Sequence, residues 1–148
     1  MSGTASDFLS DYPDTQDWPE SLERYIFCYY THLLTPSGRA GWGYILRYGK
    51  RDAAEDQRKA AWEPRIEKAQ SIAFEDPATK TLLEKYPNKF FESVTRRVLR
   101  DDSDKVYLNL CRNCLNLCMT PRARLCLRCG FSWHDEEPYE YERHEPKR

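Results

Sequence analysis

Two cysteine pairs constrain this chain more than any other feature. Cys111-Arg-Asn-Cys114 and Cys126-Leu-Arg-Cys129-Gly130 are each a C-x-x-C, and eleven residues separate them. Each pair is a knuckle that can place two thiolates on one metal ion, and Gly130 permits the backbone turn such a knuckle needs. Four sulfurs at about 2.3 Å from a tetrahedral ion leave no coordination position open. A site of that kind holds a fold together and does not activate water. The expectation is one structural Zn2+ per chain on Cys111, Cys114, Cys126 and Cys129. Rubredoxin-like iron uses a similar four-thiolate cage and is the rival metal. Paired disulfides need an oxidising compartment. No signal peptide points to one, since residues 1–20 contain five acids and no Lys or Arg. The compartment expected is the cytoplasm, and no stretch is apolar enough for a membrane span.

Two further thiols and all three histidines lie outside this pattern. Cys118 sits between the pairs and reads as a small buried apolar residue, with ligand and redox partner as the alternatives. His134 follows Cys129 by five residues. It serves either as the fourth ligand of a Cys3His site or, the preferred reading, as a packing or supporting residue. Cys28 and His32 are four apart on a helical pattern, but Phe27, Tyr29 and Tyr30 surround the thiol and suggest that it is buried and inert. There is no H-E-x-x-H, P-loop, G-x-G-x-x-G or G-x-S-x-G. The chain is therefore read as a non-enzyme, with no small-molecule substrate in evidence.

Charge is distributed unevenly over the 148 residues, whose net charge is −1. Residues 105–134 carry Lys105, Arg112, Arg122, Arg124 and Arg128 and no acid, whereas residues 1–20 and 135–148 are acidic. Arginines beside Phe131 and Trp133 have the composition that contacts phosphate and stacked bases. The competing reading is that the arginines offset the charge of about −2 that four thiolates leave on Zn2+, and that reading is preferred.

The first hundred residues have helical period. Asp17-Trp18-Pro19-Glu20 looks like a capped start, and Leu22, Tyr25, Ile26, Tyr29, Tyr30 and Leu33 form one face of a helix that Pro36 ends. Thr35-Pro36 opens a weaker helix to about Tyr48, with Gly38, Gly41 and Gly43 against it. Residues 52–74 are a strong helix pattern that Pro64 kinks or splits. Asp76-Pro77 opens a helix to about Tyr86. Asn88 caps a last one carrying Phe90, Phe91, Val94, Val98 and Leu99. Val106 to Leu110 is β-prone and leads into the first knuckle. No internal repeat is evident.

The stretch Val106-Tyr-Leu-Asn-Leu-Cys111-Arg-Asn-Cys114, with Thr120-Pro-Arg-Ala-Arg-Leu-Cys126-Leu-Arg-Cys129-Gly-Phe-Ser-Trp133-His134, resembles the C-terminal zinc ribbon of a family of uncharacterised bacterial proteins. Tyr25-Ile-Phe-Cys-Tyr-Tyr-Thr-His32-Leu-Leu-Thr-Pro36 is similar to that family's opening helix. The resemblance spans roughly 22–134 and departs from the family's more charged helix at 38–43. It implies an N-terminal helical region, a four-cysteine site and a small residue at the position of Cys118. It implies no activity.

Together these readings give a mainly α protein. A bundle of four or five helices precedes a small β module of rubredoxin-like or zinc-ribbon type. The segments are an acidic leader (1–17), a helical domain (18–104), the zinc ribbon (105–134) and a charged mobile tail (135–148). The function expected is that of a protein–protein interaction module, one form being an immunity-type inhibitor of a toxin. Its candidate surface is Arg122, Arg124, Arg128, Trp133 and Tyr29. The alternative is nucleic-acid binding by the ribbon arginines, expected to be weak.

Overall fold

The structure, a computed structural model, describes Gly3–Thr4 and residues 14–141. Phe8, Leu9 and Tyr12 of the expected leader, and residues 142–148 of the expected tail, lie outside the described residues. The chain divides into two compact units, one made of Met1–Leu33 with Thr95–Arg148 and the other of Leu34–Val94. Among the described residues five helices of eight or more residues make the chain mostly helical. Among the described residues no helix is long and apolar enough to cross a membrane.

The first unit holds α1 (Leu22–Tyr29), the part of α5 (Phe90–Asp101) from Thr95 onward, and the cysteine-rich module. Helix α1 buries Leu22, Tyr25, Ile26 and Phe27, the stripe that the 3- and 4-residue spacing requires. It is shorter than the pattern suggests at both ends. Asp17 closes a 3-10 turn (Thr15–Asp17) instead of capping, and Ser21 precedes α1 without a side-chain cap bond. The indole of Trp18 is buried, with the Arg96 guanidinium 5.1 Å from its ring centroid, and its backbone is extended. The helix stops at Tyr29 because Tyr30 serves a tertiary contact. The Tyr30 hydroxyl accepts from the Tyr107 N–H at 3.0 Å and donates to the Tyr107 carbonyl at 3.3 Å. The Tyr25 hydroxyl donates to that same carbonyl. Burial pushes the Tyr30 hydroxyl up to about 12, so it stays protonated as a donor.

The expected β-prone run gives a two-residue strand, β2 (Tyr107–Leu108), paired antiparallel with β1 (Gly3–Thr4). The sheet of a zinc ribbon does not form among the described residues. Beyond β2 the module has only the isolated antiparallel bridges Leu110–Leu117 and Leu125–Ser132. Longer ladders are blocked where they would grow. The buried Asn109 side chain donates to the carbonyls of Thr120 (2.9 Å) and Ala123 (2.8 Å), taking acceptors a neighbouring strand would use. Pro121 offers no N–H. Between Asp135 and Tyr141 most residues are exposed, but two tyrosines make contacts within the first unit. Tyr139 stacks on Tyr107 with centroids 3.8 Å apart, and the Tyr141 hydroxyl donates to the Tyr29 carbonyl.

The second unit holds α2 (Pro36–Ala53), α3 (Glu63–Ala73), α4 (Pro77–Lys85) and the start of α5. Thr35 caps α2 by accepting from the Gly38 N–H at 3.0 Å, and Pro36 occupies the first turn. The helix runs five residues past Tyr48, to Ala53. Lys50 and Arg51 lie in its last turn, where cations suit the helix dipole. The long helical pattern over 52–74 is indeed broken. A single helical turn (Asp56–Lys59) and a 3-10 turn (Ala60–Trp62) precede α3, which has Pro64 in its first turn. Asp76 caps α4 as the Asp-Pro pair requires, accepting from the Thr79 N–H at 3.2 Å. Asn88 falls inside a 3-10 turn (Pro87–Lys89) that leads into α5. Ile66, Ala69, Ala73, Leu83 and Phe90 are buried in this unit.

Candidate metal centre

Each C-x-x-C sits at the tip of a tight hairpin, and the two hairpins are built alike. In the first, Leu115 N–H donates to the Cys111 carbonyl (3.1 Å), Cys111 N–H to Asn116 (2.8 Å) and Cys118 N–H to Asn109 (2.8 Å). In the second, Gly130 N–H donates to Cys126, Cys126 N–H to Phe131 and Trp133 N–H to Arg124, all at 2.8 Å. Every position of the second set lies 15 residues after its counterpart in the first. The module is therefore a repeat of residues 109–118 in residues 124–133, contrary to the expectation of none. Only Leu-Cys-x-x-Cys is shared between the copies, too little to register as a repeat.

The two tips bring Cys111, Cys114, Cys126 and Cys129 together, with all four Sγ atoms within 4.8 Å of one another. Cys111 Sγ lies 3.5 Å from Cys129 Sγ, and Cys114 Sγ lies 3.6 Å from Cys126 Sγ. Sulfurs bound at about 2.3 Å around a tetrahedral ion sit about 3.8 Å apart, so the donor set has the size and chemistry of a four-thiolate metal site. The hairpins also aim donors at the sulfurs. Cys111 Sγ accepts from the N–H groups of Asn113 and Cys114, each at 3.4 Å. The Asn116 side-chain amide reaches Cys114 Sγ at 3.3 Å, and that of Asn113 reaches Cys129 Sγ at 3.7 Å.

These donors act on the thiols. Hydrogen bonds from the Asn116 backbone and then its side chain bring Cys114 down to about 6. The Phe131 N–H lowers Cys129. Cys111 is fully buried and is pushed up to about 11. A cation replaces the proton on such a thiol by supplying the charge that burial withholds.

Cys118 is buried and packs with Cys111, Cys126 and Trp133 in one cluster, but it is not one of the four gathered sulfurs. Burial pushes its thiol up to about 11. It sits where the second hairpin has Trp133, the position that packs beneath the tip. His134 is exposed and stands outside the sulfur group, its carbonyl accepting from Arg124 at 3.0 Å. Cys28 is exposed, contrary to its apolar neighbours in sequence, because it lies on the face of α1 opposite the buried stripe.

The candidate surface is dispersed. Trp133 is core, with the Arg112 guanidinium 4.6 Å from its ring centroid. Tyr29 is half-buried, edge-on to Tyr141 at 5.6 Å. Arg124 is spent on the carbonyls of His134 and Glu136. Arg128 is exposed and ion-paired with Glu20 at 3.4 Å, and Arg122 is exposed. Sequence reasoning missed Asn109, Arg112, Asn113 and Asn116. Arg112 donates to Asn109 Oδ1 (3.0 Å), to the Leu110 carbonyl (2.7 Å) and to Glu136 (3.1 Å). The available signal was three asparagines within eight residues of a cysteine pair, a residue type able to donate both from backbone and from side chain.

No protein-family model, curated protein or solved structure matches this chain.

Proposed function

We propose that this is a zinc-binding protein whose four-thiolate site is a structural clamp, and that the clamped module is a non-catalytic surface for a protein partner. The observation that carries the metal reading is the convergence of four Sγ atoms within 4.8 Å at the tips of two matched hairpins. Bridges of one residue pair and a small buried cluster give such a module little stability of its own, and a bound ion supplies what the missing strands do not. Four thiolates fill a tetrahedral ion, which supports a structural role over a catalytic one. In favour of a protein partner, Leu115, Met119, Leu125, Leu127 and Phe131 are all exposed on the module, Leu127 at 77%. Apolar side chains crowded on so small a unit suit a contact surface.

Elemental analysis of the purified full-length chain tests the metal. One zinc per chain is expected; no metal, or a red iron chromophore, overturns the assignment. Strong chelation should unfold the module while the far-UV signal of α2, α3 and α4 persists. For the partner, a protein captured by the wild type should be lost on Leu127→Ser at unchanged zinc content.

A further inference from the structure

The second unit carries a different combination of groups, around Trp62. This residue ends the 3-10 turn before α3 and is half-buried. Its indole borders an open cleft of about 420 Å3, lined also by Lys50, Ala53, Ala54, Glu55 and Arg58. Lys50 Nζ lies 5.9 Å from the indole centroid and Arg65 Cζ lies 5.3 Å from it. Other cations nearby already have carboxylates. Arg51 pairs with Glu63 at 2.7 Å, and Lys59 with Asp56 at 3.3 Å. Lys50, Arg58 and Arg65 are exposed and join no ion pair among the described residues. A second exposed aromatic lies on α2, two residues before Lys50. Tyr48 is 40% exposed, with the Arg51 guanidinium 4.0 Å from its ring centroid.

We infer that this face of the second unit binds single-stranded nucleic acid, with an unpaired base stacked on Trp62 and phosphates held by Lys50, Arg58 and Arg65. A half-buried indole that borders an open cleft is a platform for any base, since every base has a π-face. Exposed cation–π contacts are weaker than a base–indole stack, so Lys50 and Arg65 can swing off the ring and onto phosphate when a base arrives. Long flexible side chains suit that exchange. The carboxylate in the cleft, Glu55, accepts from the Gln57 amide at 3.3 Å and is outnumbered there by Lys50 and Arg58. A duplex keeps its bases stacked on one another and offers the indole no face, so the site selects unpaired strands. The ribbon arginines fit this role less well, because Arg124 is spent within its own module and Arg128 is ion-paired.

The test titrates the full-length protein into fluorescein-labelled oligodeoxythymidylate of about 12 nucleotides at about 50 mM salt, read by anisotropy. Trp62→Ala should weaken binding about 5- to 150-fold, and Trp62→Phe should keep most of the affinity. The triple change Lys50→Gln, Arg58→Gln and Arg65→Gln leaves the indole in place. It should flatten the salt dependence by about two units, the contribution of three single-strand phosphates. Four results overturn the proposal. They are no binding at this salt, Trp62→Ala with intact helix signal and unchanged affinity, an unchanged salt slope in the triple variant, and competition by poly-glutamate as strong as that by unlabelled oligonucleotide. The last would reassign the face to acidic peptides.

Discussion

Leu115 and Gly130 occupy the same position in the two hairpins, each following the second cysteine of its pair, and both have positive φ, 62° and 78°. The turn demands a left-handed residue there. Glycine meets the demand without strain, whereas an L side chain costs roughly 1–2 kcal/mol. Leu115 is 60% exposed, so little burial offsets that cost. Leu115→Gly should therefore stabilise the zinc-loaded protein by about 0.5–1 kcal/mol after the extra flexibility of the unfolded chain is subtracted. Gly130→Ala should cost about 1 kcal/mol from strain alone, since no atom lies within 4 Å of the added Cβ. Denaturant titration in zinc buffer measures both.

The placement of Cys118 separates a packing thiol from the gathered four. It lies in the buried cluster but outside the sulfur group. Cys118→Ser should keep one zinc per chain and lower stability by about 1–3 kcal/mol, because the hydroxyl is buried without an obvious partner. Cys126→Ser should release the metal. Zinc content of the two variants, measured by elemental analysis after dialysis, distinguishes them. Loss of zinc from Cys118→Ser would make it a ligand.

Asp76 shows how a cap read from sequence becomes a pH-dependent contribution. Its carboxylate accepts from the Thr79 hydroxyl at 2.7 Å and from the Thr79 N–H at 3.2 Å. Those bonds, the hydroxyl first, hold its pKa below the usual carboxylate value. The folded-state value is the lower one, so the stabilisation is present above the unfolded value of about 3.9 and is lost as pH falls through the folded value. Asp76→Ala should cost about 1 kcal/mol at neutral pH. The gap from the wild type should shrink in acid, as followed by thermal melts from neutral pH down to about 3.

What was legible in the sequence tracked interactions that are local along the chain. Thr35-Pro36 and Asp76-Pro77 set helix starts because a cap needs only its own next three residues. The cysteine spacing marked the four sulfurs for the same reason. The features that were missed depend on distant partners. Tyr30 leaves α1 to bind Tyr107, 77 residues away. Trp133 and Tyr29 have the composition of contact residues, yet Arg112 and Tyr141 cover them. The repeat was hidden because it is carried by backbone hydrogen bonds, which leave almost no trace in side-chain identity.

The glycines of α2 give the sharpest contrast between propensity and packing. By propensity alone, Gly→Ala within a helix gains about 1 kcal/mol. Gly49 is exposed, and a Cβ there meets nothing within 4 Å. Gly49→Ala should therefore stabilise the protein by about 0.5–1 kcal/mol. Gly41 is buried, and its Cβ would stand 2.8 Å from Phe90 Cζ and 2.9 Å from Cε2. The Phe90 ring is itself fully buried and has no solvent into which to retreat. Overpacking of this kind costs about 1–3 kcal/mol, which exceeds the helix gain. Gly41→Ala should thus lower the melting temperature while Gly49→Ala raises it. The loss at Gly41 should be relieved by pairing it with Phe90→Leu, which removes the atoms that collide. If Gly41→Ala costs as much in the Phe90→Leu background as in the wild type, the contact with Phe90 is not what holds a glycine at this position.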